Sequence, residues 1–154
     1  MWQRSTVSMA AIVLFVAGAG IPMMAALNSG LGIRLGNPAP AAFVLFLLAT
    51  IVSFLIVLAN PLPTRAEISS VPVYFYFGGL FVVFYVLAMT WIAPRFGIGN
   101  AIVVVLFGQL VAAAIIDHFA LLGALKAPIT PTRAVGIGLV LLGIFLARKP
   151  ILDV

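Results

Sequence analysis

A chain of 154 residues in which 65% are hydrophobic and 7% charged holds more apolar surface than one small soluble core can bury. With a mean hydropathy of +1.33, the bilayer must take up the excess. The net charge of +5 comes from basic residues scattered one or two per loop, which excludes a nucleic-acid footprint, and the absence of cysteine excludes disulfides and a thiol nucleophile.

Hydropathy marks five runs, at about 7–27, 41–58, 73–93, 98–116 and 132–147. A span needs roughly 20 residues to cross a core of about 30 Å, and the first four satisfy that. The first run also admits a signal-peptide reading, since Arg4 precedes it and Ala17-Gly18-Ala19 fits a small-residue cleavage site. Apolar sequence continues past that site and beyond an ordinary signal core, so the run is read as a span. Pro22 within it deprives the Gly18 carbonyl of a helical partner. Gly18, Pro22, Ala25 and Ser29 share one small-residue face at i, i+4, i+7, i+11 spacing. The face is either a hinge beside a cavity or a static packing kink. Asn28 either lines the cavity mouth or ends the helix before Gly30 and Gly32.

Asn37-Pro38 has the composition of a helix start, with Asn as N-cap and Pro at the first helical position. In the third run Tyr74, Gly78, Phe81 and Tyr85 again have i, i+4, i+7, i+11 spacing, a stripe suited to gripping a solute through ring faces. The alternative is packing, with Tyr74, Tyr76 and Trp91 anchored at the interface. Gln109 lies near the centre of the fourth run, where an amide is costly without hydrogen bonds. It is the best single site candidate, with helix-to-helix bonding as the rival role. Asp117 and His118 follow near the end of that run. Ionisable groups at membrane depth are functional hypotheses, so Asp117 is a candidate for proton coupling. The competing role is an interfacial pair with Lys126 or Arg133. Arg34, Arg65, Glu67 and Arg95 read as loop charges, and Gly97 and Gly99 allow a sharp turn after Pro94.

Thr130-Pro131 repeats the helix-start device for the fifth run, whose purely apolar part is short unless Thr132 and Arg133 continue the helix and Arg133 snorkels. Ala134, Gly136, Gly138 and Gly143 give this run small-residue surface for a second copy, predicting a dimer interface there.

Five spans place Arg4, Arg65, Lys126 and Arg133 on one side and Arg34, Arg95, Arg148 and Lys149 on the other, an even split. The bias that normally orients helical membrane proteins is absent. Either the even split is coincidence and something other than charge sets the orientation, or the chain inserts both ways. Dual insertion is the expectation, in which two oppositely inserted copies pair about an axis in the membrane plane, as in the inverted repeats of transporters.

The C-terminal stretch from Thr130-Pro131-Thr132-Arg133 through Gly136, Gly138 and Gly143 to Ile144 resembles the last helix of the drug/metabolite transporter superfamily. Gly108-Gln109, Ile116-Asp117-His118-Phe119, and Pro22 with Asn28, are similar to the half-size YdcZ-type subfamily within it. The resemblance implies a five-helix unit that dimerises, its larger relatives carrying ten helices as a fused inverted pair. The small multidrug resistance relatives carry a glutamate in their first span, and none stands here, so proton-coupled export of drug cations is in doubt and a neutral solute fits better. The expected protein is therefore an all-α integral membrane protein, a five-transmembrane-helix bundle forming an antiparallel (inverted) homodimer. It exports a small solute across the bacterial inner membrane by alternating access, with a cavity near Pro22, Asn28, Tyr85 and Gln109. Its expected partners are a second copy, membrane lipid and the small-molecule solute, with no nucleic acid, no metal and no cofactor. An enzyme is not expected, because there is one histidine and no GxSxG, HExxH or acidic pair at catalytic spacing. The rival reading is a non-transporting membrane protein that binds lipid or assists assembly of a complex.

Overall fold

A computed structural model describes residues 4–147, and their regular structure is entirely helical: α1 (Arg4–Arg34), α2 (Pro38–Leu58), α3 (Arg65–Ser70), α4 (Gly78–Phe96), α5 (Ile98–Phe119) and α6 (Pro131–Ala147). One short 3-10 turn, Val73–Phe77, leads into α4, and another, Leu121–Gly123, follows α5. Four stretches are long and apolar enough to span a bilayer: Val7–Arg34, Pro38–Leu58, Val73–Phe96 and Ile98–Phe119. The shorter α6, 17 residues, reaches about 25 Å at 1.5 Å per residue. No more than 17% of the most apolar window of any of the four spans is buried by the chain itself. Their remaining apolar surface is left for lipid or another protein to cover. Arg148 and Lys149 of the charge count lie outside the described residues.

The helix ends differ from expectation where glycine and asparagine were read as punctuation. α1 continues through Pro22 and through Asn28, Gly30 and Gly32 to Arg34, seven residues past Leu27. Asn28, Ser29 and Gly32 are buried, so these residues serve packing rather than termination. The third span begins as a 3-10 turn, which removes Tyr74 from the register of α4 and breaks the aromatic stripe. Asn37 caps α2 as its composition implies, its Oδ1 accepting the Ala39 N–H at 2.8 Å with Pro38 at the first turn.

The chain divides into two compact units, with the boundary in the sequence between Arg95 and Phe96. In the first, α1 and α2 form a hairpin across a turn in which Gly36 takes φ +68°, and Gly32 brings α1 within reach of both α2 and α4. Its α3 carries a capping box. The Thr64 N–H and hydroxyl donate to Glu67 Oε2 at 2.7 and 2.8 Å, while the Glu67 N–H donates to Thr64 Oγ1. The backbone N–H of Thr64, then its hydroxyl, hold the Glu67 carboxyl below its ordinary value of 4.5. A depressed folded value means that the contribution is present above pH 4.5 and fades as pH falls through the folded midpoint. The Thr64 amide shift is therefore expected to titrate with a midpoint below 4.5 and to stop titrating in Glu67→Gln, measured by NMR in micelles.

In the second unit, the half-buried Arg133, Ile137, Leu141 and Ile144 follow i, i+4, i+8, i+11 spacing and form the packed side of α6. At about 100° per residue, Gly136 and Gly143 fall on one flank of that side and Gly138 on the other. A Cβ built on any of these three glycines meets nothing within 4 Å. The connection between α5 and α6 is fastened by the ends of both helices. Arg133 Nη2 pairs with Asp117 Oδ2 at 2.5 Å, Arg133 Nη1 donates to the Ala127 carbonyl at 2.8 Å, and the Ile129 N–H donates to His118 Nδ1 at 3.1 Å. Thr130 Oγ1 accepts the Arg133 N–H, capping α6.

Candidate solute site

Buried polar side chains are scarce in so apolar a chain, and in the first unit they converge. Asn28, Ser29 and Thr90 are each no more than 5% exposed. Thr90 Oγ1 donates to the Val86 carbonyl one turn back at 2.7 Å and accepts from Asn28 Nδ2, so a single hydroxyl joins α1 to α4. Around the pair the walls are small or apolar: Ala25 and Gly32 on α1, Ala41 and Ala42 on α2, and Val86, Met89 and Ala93 on α4 are all buried. On α4 the buried positions 86, 89, 90 and 93 form one helical face. A Cβ on Gly32 would stand 2.8 Å from Thr90 Cγ2, 3.6 Å from Pro38 Cα and 3.8 Å from Ala41 Cβ, so only glycine lets the three helices approach this closely.

Above the pair lies a cleft of about 340 Å³, at the small end of ordinary ligand pockets. α1 contributes Gly32 and Ile33 to it, the turn contributes Gly36 and Asn37, α2 contributes Pro38, and α4 contributes Thr90, Trp91, Pro94 and Arg95. Arg95 Cζ sits 5.3 Å from the Trp91 ring centroid and its Nη1 donates to the Trp91 carbonyl at 3.2 Å. Asn28 is six residues from Arg34, about 9 Å along α1, and Thr90 five from Arg95, about 7.5 Å along α4. The Asn28–Thr90 pair thus lies about 8 Å along the helices from the level of the two arginines, with the cleft between that level and the pair.

A family model described as "Putative inner membrane exporter, YdcZ" matches residues 9–146. The chain belongs to that family. Neither a curated protein nor a solved structure matches it. The YdcZ family is one of membrane exporters rather than enzymes, and the apolar helices make this member a multi-pass membrane protein.

The residues singled out from this YdcZ sequence are distributed unevenly. Asn28 enters the buried pair, and Thr90, a liner of the cleft, is its partner. Pro22 is half-buried farther along α1, on a face whose Ala25 and Ser29 are buried while Gly18 is exposed. Tyr85 is half-buried on α4, one turn and a residue before Thr90, and its hydroxyl is enclosed with no hydrogen-bond partner, as is that of Ser29. Gln109 belongs to α5 in the second unit, where its side chain is exposed. Asp117 pairs with Arg133, one of the two basic partners considered for it. Sequence reading missed Thr90, Gly32 and Arg95. A lone Thr in an apolar helix has no periodic signature, and Arg95 read as a loop charge although it occupies the last turn of α4.

Proposed function

We propose that this YdcZ-family protein exports a small solute across the bacterial cytoplasmic membrane, working by alternating access as an antiparallel homodimer. The observation that carries the reading is the cleft over the Asn28–Thr90 pair. A cleft of metabolite size that reaches the Thr90 hydroxyl, itself bonded to the buried Asn28 amide, supports a binding site over a packing seam. Two further features support a second copy. Gln109 is exposed on α5 in an apolar stretch where an amide needs a partner, and the Gly136 and Gly143 flank of α6 is open to close approach. Gly138 would meet a different neighbour. Inversion of one copy supplies the second half-site, and the even charge split supports insertion both ways.

Efflux of a metabolite mixture from proteoliposomes tests this, with Gln109→Ala and Asn28→Ala as comparisons. The wild-type protein is expected to move solute, Gln109→Ala to move less, and Asn28→Ala to move it about fivefold more slowly, because the Thr90 hydroxyl that lines the cleft loses the bond orienting it. A lipid-binding protein or assembly partner would move nothing. C-terminal reporter fusions test the topology in parallel: activity on one side alone rules out two-way insertion.

A further inference from the structure

The cleft above the Asn28–Thr90 pair has one charged lining residue, and it is a cation. Arg95 commits Nη1 to the Trp91 carbonyl and holds its Cζ 5.3 Å from the indole centroid, which leaves donors on the rest of the guanidinium for a ligand. Among the described residues no carboxylate neutralises it. The only ion pair among the described residues joins Asp117 to Arg133, and Glu67, the other acid among them, is engaged by Thr64.

Several helix-end carbonyls around the cleft already accept hydrogen bonds. The N–H groups of Leu35, Gly36 and Asn37 bond to the carbonyls of Leu31, Ile33 and Gly32, and the Arg34 side chain bonds to that of Gly30. Asn37 already accepts the Ala39 N–H at its Oδ1, and its carboxamide also carries an NH2 donor. The lining therefore presents donors and positive charge where acceptors would be needed to hold a cation. The first turn of α2 adds the positive end of a helix dipole to the same wall.

We infer that this cleft is an oxyanion site, in which the Arg95 guanidinium and the Asn37 amide hold a carboxylate or phosphate group while the uncharged remainder of the ligand reaches down to Thr90. The solute of the proposed exporter is on this reading a small organic acid or phosphate ester, not the neutral molecule that composition favours. That assignment of the solute rests on the transport reading, whereas the oxyanion site itself does not. In an antiparallel pair the two copies present such a site to opposite faces of the membrane. A phospholipid headgroup offers the same chemistry, and the experiment separates the two sources.

Trp91 reports on its own guanidinium neighbour. In a Trp2→Phe background Trp91 is the remaining tryptophan, and its fluorescence is followed while full-length protein in neutral detergent is titrated with acetate, inorganic phosphate or tetraethylammonium, or transferred to nanodiscs with and without phosphatidylglycerol. Acetate or phosphate is expected to change the emission saturably and tetraethylammonium to leave it unaltered. Apparent affinity is expected to fall about tenfold or more in Arg95→Gln, less in Arg95→Lys, and to hold within about threefold in Arg34→Gln. A response to phosphatidylglycerol alone, abolished by Arg95→Gln, keeps the oxyanion site and assigns it to the headgroup. A tetraethylammonium response, or anion responses indifferent to Arg95→Gln in protein whose melting is unchanged, overturns the inference. Efflux in proteoliposomes is independent of this outcome. Transport without an anion response removes the oxyanion site and leaves the exporter, and an Arg95-dependent response without transport does the reverse.

Discussion

Gly32→Ala is expected to lower the melting temperature of the detergent-solubilised protein, and adding Thr90→Ser to restore most of the loss. Two effects oppose each other at this position. Alanine in a helix interior gains up to about 1 kcal/mol over glycine. Against that, the new methyl would stand 2.8 Å from Thr90 Cγ2, with Pro38 and Ala41 closing the other directions, and overpacking of this kind costs about 1–3 kcal/mol. Thr90 cannot turn its methyl aside cheaply, because its rotamer is held by hydrogen bonds to the Val86 carbonyl and from Asn28, each contributing about 1 kcal/mol. The net expectation is a loss of about 1–2 kcal/mol. Serine keeps the hydroxyl and deletes only the clashing methyl, so the double variant is expected to melt close to Thr90→Ser alone, with a coupling of at least about 1 kcal/mol in the cycle. Simple additivity of the two substitutions would mean that α1 and α4 are not in the close contact described.

How Gly32 came to be read as a helix end shows where sequence reasoning stops in a chain like this one. Hydropathy finds apolar helices because lipid demands that every backbone group be satisfied within its own segment, and the four long runs each correspond to a helix of spanning length. Caps are equally local: Asn37-Pro38 and Thr130-Pro131 start α2 and α6 because the chemistry lies within a few residues. Glycine is ambiguous, since it ends helices in water and lets helices touch in lipid. In Gly32 the second use prevails, and α1 runs past both Gly30 and Gly32 to Arg34.

The site was legible in part. Asn28 stood out because an amide inside an apolar run must find a partner, but that partner, Thr90, is 62 residues away and carries no pattern of its own. Arg95 was visible as a charge and hidden as a liner, because its place in the last turn of α4 depends on that helix continuing past Pro94. The Tyr74–Tyr85 stripe failed for a local reason: the 3-10 turn at Val73–Phe77 advances by three residues per turn, so positions four apart no longer align.

Arg133→Ala is expected to destabilise the protein by about 2 kcal/mol, an effect that separates a clamp from a proton carrier at Asp117. Arg133 pairs with Asp117 sixteen residues earlier and reaches the Ala127 carbonyl, so one side chain ties both ends of the α5–α6 connection. The paired side chains are 33% and 35% exposed, so water screens them and the pair itself contributes about 1 kcal/mol or less. The charge-assisted bond to Ala127 contributes about as much again. Lysine keeps the charge without the two-pronged geometry, and Arg133→Lys is expected to recover about half the loss. Asp117→Asn breaks only the ion pair, with an expected cost of about 1 kcal/mol or less. If Asp117 is a clamp, transport by Asp117→Asn, normalised to folded protein in proteoliposomes, keeps the wild-type pH profile. A proton-coupling role predicts the opposite signature, stability near wild type with efflux no longer responding to pH. The geometry favours the clamp, because the guanidinium that engages Asp117 also reaches the Ala127 carbonyl and so fastens the connection between the two helices.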